Sequence, residues 1–157
     1  LSLMIFDTDK IVAKAVDLFK QGYNCSQSVV MAFEDMTGID KETLAKMSVG
    51  LGGGVGRMRE VCGCVSGMAM VLGLVYGNED PSSKNDIYPL VQKACENFKN
   101  ENRSIICREL LAGIPVSSGG AAEARTPEFY KKRPCGELVE QAVGITEMII
   151  RENTGEK

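Results

Sequence analysis

The stretch Arg57–Gly77, RMREVCGCVSGMAMVLGLVYG, carries the most apolar run of the chain and opens it with two thiols. From Val61 to Tyr76 no residue is charged. The run falls short of the about 20 apolar residues that a membrane helix needs. It is also interrupted by Gly63, Gly67 and Gly73. Its reading is a central core helix, and the rest of the chain is read around it.

Outward from that helix, apolar residues recur at helical spacing and strand-like alternation is scarce. Upstream, Ile11, Val12, Ala15, Val16 and Phe19 form one stripe, with Asp7 or Thr8 as cap and Gly22 as terminator. A second helix is predicted from Asn24 to Thr37, with Val29, Val30, Phe33 and Met36 inward. Asn24 followed by Gln27 three residues later has the form of a capping box. Gly38 closes that helix, and Asp40 caps a short one ending at Met47. Between them and the central run lies Gly50–Gly56, with glycine at 50, 52, 53, 54 and 56, read as a loop.

Downstream, Asp80-Pro81, Ser83 and Asp86 signal the start of a helix with the stripe Ile87, Leu90, Val91, Ala94, Cys95 and Phe98. Pro89 conflicts with it, since an interior proline costs about 3 kcal/mol or more. A kink there, or a start near Tyr88, is expected. Ser104 is expected to cap a short helix carrying ICRELLAG, which Gly113 stops. Residues 114–133 read as an irregular loop, unusually long for a compact domain and therefore a place to look for function. Pro134 opens the last helix, whose stripe is Leu138, Ala142, Ile145 and Met148/Ile149. The prediction is a single all-α domain, residues 1–157, of six or seven helices around the glycine-containing apolar one. Leu1–Leu3 read as a cloning remnant ahead of a natural start at Met4.

The formal net charge of -3 and scattered basic residues argue against a nucleic-acid footprint. Four Tyr, five Phe and no Trp offer no interleaved aromatic platform. No secretory leader is recognisable, so the expected compartment is the cytoplasm, without membrane insertion. Structural disulfides are rare there, and the six cysteines need another explanation.

Their positions suggest one. Cys25, Cys62, Cys107 and Cys135 each fall at the predicted start of a separate helix. Unpaired N–H groups and the macrodipole stabilise a thiolate there. Thiolate is the form that attacks disulfides and ligates soft metals. Arg57, Arg59, Arg108 and Arg133 lie one to five residues from these thiols and reinforce the effect if they face them. Cys95, on an apolar stripe, reads as a small core residue. So, first, does Cys64, two residues past Cys62 and on nearly the opposite helix side; a further thiol of the site is its second reading. Gly63 and Gly67, one turn apart, permit close approach of a helix or of a cofactor. GLGGGVGR lacks a preceding strand and a Gly-Lys-Ser/Thr, so it is no phosphate loop. A hinge bringing backbone N–H groups near Cys62 is the preferred reading.

In this order the residues resemble the redox-active protein family named for the pattern C, GCAxxG, C, C. Cys25 in GYNCSQSV matches the first cysteine, and Cys62-Gly63-Cys64-Val65-Ser66-Gly67 matches the motif, with Cys64 in place of alanine. Cys107 in CRELL and Cys135 in RPCGELV match the last two. The resemblance implies an all-α fold, redox activity and an iron–sulfur centre.

The expected function is electron transfer through an iron–sulfur-type cofactor held by Cys25, Cys62, Cys107 and Cys135, with Cys64, Gly63 and Gly67 nearby. The alternative is a metal-free thiol–disulfide protein with Cys25 and Cys62 as the redox pair. Third comes a structural zinc or interaction module, although close C-x₂₋₄-C pairs are missing. Without histidine, His-ligated haem, Rieske centres and a Cys–His nucleophile are excluded. Glu34/Asp35 and Glu79/Asp80 read as solvated caps rather than acid–base pairs. A redox partner protein is expected, and a second subunit could cover an exposed apolar helix.

Overall fold

The computed structural model describes residues 7–154. The reading of Leu1–Leu3 and Met4 lies outside them. Six helices of eight residues or more make up the body: α1 (Thr8–Lys20), α2 (Cys25–Ala32), α4 (Lys41–Ser48), α6 (Gly63–Tyr76), α7 (Lys84–Asn102) and α10 (Cys135–Asn153). Shorter pieces join them: α3 (Glu34–Thr37), α5 (Gly52–Val55), α8 (Cys107–Leu110) and α9 (Pro127–Lys132), with single 3₁₀ turns at Val49–Leu51 and Pro81–Ser83. The fold is all-α, a single domain, as the periodicity requires. No helix among the described residues is long and apolar enough to cross a membrane.

The ends of the helices follow the caps. Asp7 accepts from the Lys10 N–H at the start of α1. Asn24 and Gln27 complete a reciprocal capping box at the start of α2. Asp40 accepts from the Thr43 N–H at the start of α4. Gly38, at φ 70°, closes α3 in the left-handed conformation that glycine takes without strain.

The long helix predicted from Asn24 to Thr37 is instead two. Phe33, at φ -98° and ψ 21°, ends α2 and starts α3. Its ring stays buried through the turn, so the apolar spacing reads straight across the break. Pro89 errs in the other direction, because α7 runs continuously through it. The proline sits in the second turn, where it removes one hydrogen bond, to the Asn85 carbonyl. Both residues are exposed, so that carbonyl is open to solvent and its lost bond costs little. Ser104 caps no helix. Its Oγ accepts from the Ile106 N–H, and α8 begins at Cys107. The irregular stretch 114–133 contains α9, capped by Thr126.

The core forms around α6, which packs against α2, α7 and α10, while α1 closes over α2 and α10. Val29, Val30, Met68, Val71, Leu72, Phe98, Val139 and Ile149 are fully buried. Each contributes roughly 1.5–3 kcal/mol by leaving water. Gly67 belongs to this packing: a Cβ on it would stand 3.0 Å from the Val29 Cβ of α2. It therefore serves the α2–α6 contact.

Candidate functional site: five thiols on one cavity

Four chain segments bring sulfur to one place. Cys25 is the first residue of α2, Cys107 of α8 and Cys135 of α10. Cys62 is the N-cap of α6, one position earlier than its predicted place in the helix. The residues before it are extended rather than helical. Cys62 N–H donates to the Ile105 carbonyl (2.8 Å), Cys107 N–H to that of Glu60 (2.6 Å) and Arg108 N–H to that of Arg59 (3.1 Å). This short antiparallel pairing, centred on Val61 and Ile106, clips the start of α6 to the start of α8.

The cavity they enclose measures about 340 Å³. Cys25, Cys62, Cys64, Cys107 and Cys135 all line it. The expected convergence of four thiols is therefore present, with Cys64 as a fifth. Cys95 lies outside it, half-buried on α7, and burial raises its pKa.

Cys25, Cys62 and Cys64 form a hydrogen-bonded trio. The thiols of Cys62 and Cys64 donate to the Cys25 sulfur, and together they pull its pKa well below the ordinary thiol value. Backbone N–H groups of Gly53 and Ser26 add to this against the opposing effect of burial. The same bonds hold the protons on the donors, so Cys62 and Cys64 are pushed well above the ordinary value. The helix-start reasoning expected a lowered pKa at all four positions; only Cys25 is lowered, and chiefly by its thiol neighbours. Burial raises the Cys107 thiol, with Arg59 opposing. Burial and the charge at Cys25 push Cys135 up to about 12. One buried thiolate with several donors is affordable; four adjacent like charges are not.

Two glycine features shape this trio. The turn 52–56 carries left-handed φ at Gly53 (67°) and Gly54 (72°), and the strained conformation continues at Val55, Arg57 and Arg59. It presents the Gly53 N–H to Cys25 rather than to Cys62, where the hinge was expected to act. Asn24 ties the preceding 3₁₀ turn at Val49–Leu51 to α2 by donating from Nδ2 to the Val49 carbonyl (2.9 Å). Gly63 makes room for the sulfur itself. A Cβ there would lie 2.5 Å from Cys25 Sγ and 3.0 Å from the Leu51 carbonyl oxygen.

Arginines line the cavity beside the thiols. Arg59 is 6% exposed and donates from Nε to the Ser117 carbonyl (3.0 Å) and from Nη1 toward Cys107 Sγ (3.8 Å). Arg57, Arg59 and Arg133 share Glu123 Oε1, the first two at 3.4 and 3.6 Å. Arg125 stacks on Phe19, 4.3 Å from the ring centre, and donates to the Phe19 and Tyr23 carbonyls. Arg108 turns away and pairs with Glu60 on the surface. Glu123 and Arg125 escaped residue-level reading. Their only signal was the length of the loop that carries them.

Among the described residues, no group of three or more His, Cys, Asp or Glu is arranged to hold a metal ion. Comparison with curated proteins and with solved structures found no match. A family model described as "Putative redox-active protein (C_GCAxxG_C_C)" matches residues 23–149, a span that includes all five cavity cysteines. With that span covering most of its length, the chain belongs to the C_GCAxxG_C_C redox-active protein family.

Proposed function

We propose that the protein is a thiol–disulfide redox protein in which Cys25 is the attacking thiolate and Cys62 the resolving thiol. One observation carries this reading: the Cys25 and Cys62 thiols meet at the cavity from α2 and α6, where the hydrogen bond between them lowers the pKa of Cys25 and raises that of Cys62. Thiolate Cys25 attacks one sulfur of a disulfide R–S–S–R, forming Cys25–S–S–R and releasing RS⁻. Cys62 then attacks the Cys25 sulfur. Its proton passes to a released thiolate, the Cys25–Cys62 disulfide forms, and the second RS group leaves. Two electrons move from the dithiol to the substrate. Cys64, bonded to both, is placed to donate to Cys25 or to replace Cys62.

Thiol counting before and after mild oxidant, with mass-spectrometric mapping, tests this. The expected result is loss of two thiols in a Cys25–Cys62 bridge. Six cysteines that alkylate at ordinary rates under both conditions would overturn it.

A second reading keeps an iron–sulfur centre. It is favoured by the cavity of about 340 Å³ that Cys107 and Cys135 line together with the trio, since the five thiols border a space rather than fill it. Cys25, Cys62, Cys107 and Cys135 would hold such a centre, which supplies one-electron transfer when bound. Iron and acid-labile sulfide in stoichiometric amounts after anaerobic purification support this reading, and their absence rejects it.

A further inference from the structure

The charge on the cavity wall is not balanced. Arg57, Arg59, Arg125 and Arg133 line it, and Glu123 is the one carboxylate among the described lining residues. No carboxylate among the described residues pairs with Arg125. Even with a thiolate at Cys25, guanidinium charge is in excess. Arg59 carries the sharpest sign of it. Its side chain is nine-tenths buried, yet its Nη2 has no hydrogen-bond partner. The nearest acidic oxygen, Glu123 Oε1, stands off at 3.6 Å and is shared with two other arginines. A buried guanidinium N–H left without an acceptor is costly. Guanidinium groups satisfy that need best with carboxylates and other oxyanions.

We propose that this cavity is a recognition site for an anionic sulfur compound, whose carboxylate or other oxyanion group docks on its arginine wall while its sulfur reaches Cys25. The sulfur half rests on the thiol–disulfide reading above; the anion half stands on the arginine wall. The volume suits a small molecule rather than a peptide segment. Arg59 also bonds Cys107 and the 114–133 segment, so an anion on it lies within the same wall as the thiols.

The test uses the wild-type reduced protein at low ionic strength and three small disulfides. They are 3,3′-dithiodipropionate (anionic), 2-hydroxyethyl disulfide (uncharged) and cystamine (cationic). Rates of Cys25–Cys62 bridge formation are divided by the rates of a free dithiol with the same reagents. The expected order is anionic, uncharged, cationic, with about tenfold or more between the extremes, the scale that a charged cleft produces. The preference is expected to collapse in R59Q and to return in part in R59K. Equal normalised rates, or the reverse order, overturn the proposal. If none of the three reagents forms the bridge, the thiol–disulfide reading fails instead. The anion site is then judged by sulfate protection of the protein against thermal unfolding at matched ionic strength. Protection lost in R59Q upholds the site, and equal behaviour of the two proteins rejects it. Sulfate that competes with dithiodipropionate assigns the site to free oxyanions as well. Undiminished preference in its presence assigns it to carboxylates tethered to the sulfur.

Discussion

Cys25 differs from the other thiols in what donates to it. Two S–H and two backbone N–H groups converge on its sulfur, and this outweighs the loss of water. Cys135 opens a longer helix and still keeps its proton, because burial dominates there. A helix start is thus a weak stabiliser of charge beside direct hydrogen bonds. Iodoacetamide labelling against pH should therefore show Cys25 reacting with a midpoint below the ordinary thiol range, near 8.5. The other cavity thiols should titrate above it. Removing the largest contributor, in C62A, should move the Cys25 midpoint upward; site-resolved mass spectrometry reads the shift, and an unchanged midpoint refutes the assigned cause. That Cys25, Cys62, Cys107 and Cys135 come together was legible from their helix-start positions, while the arrival of Cys64 beside them was not. Which one carries the charge was not, because it depends on sulfur–sulfur contacts between α2 and α6.

The two glycines of α6 have separate duties one turn apart. Gly63 faces the Cys25 sulfur, and Gly67 faces Val29. G63A should push Cys25 out of the trio and slow its alkylation at neutral pH, at a stability cost of about 1–3 kcal/mol typical of overpacking. G67A should lower stability with Cys25 reactivity retained. Chemical denaturation and labelling rates together separate the two, and equal effects on reactivity would contradict the assignment. The existence of the six long helices was legible from apolar spacing, and that of α9 was not. Boundaries failed where spacing is silent, as at Phe33, which stays buried through the break between α2 and α3, and at Val61, which pairs with Ile106 instead of coiling.

Across the whole molecule, the buried thiols make stability depend on alkaline pH. Cys135 has its pKa raised from 9.0 to about 12 in the folded state. Cys62 and Cys64 are displaced in the same direction. A raised pKa gives stability that is complete below the unfolded value and lost as pH climbs toward the folded one. Denaturation midpoints should fall between about pH 9 and 12. The fall should be shallower in C135A; an identical slope in both proteins would show that Cys135 does not contribute. The all-α architecture was legible because every long segment carries its own stripe. The arginine wall was only hinted at, since Glu123 and Arg125 come from a stretch without periodicity. The clip between residues 59–62 and 105–108 carries one more consequence. It is built from peptide groups alone, so the scaffold's register is indifferent to which atoms sit at its corners. Replacing the thiol by hydroxyl or hydrogen at Cys62 and Cys107 should therefore leave these bonds in place, so that what such substitutions silence is assigned to chemistry rather than to collapse.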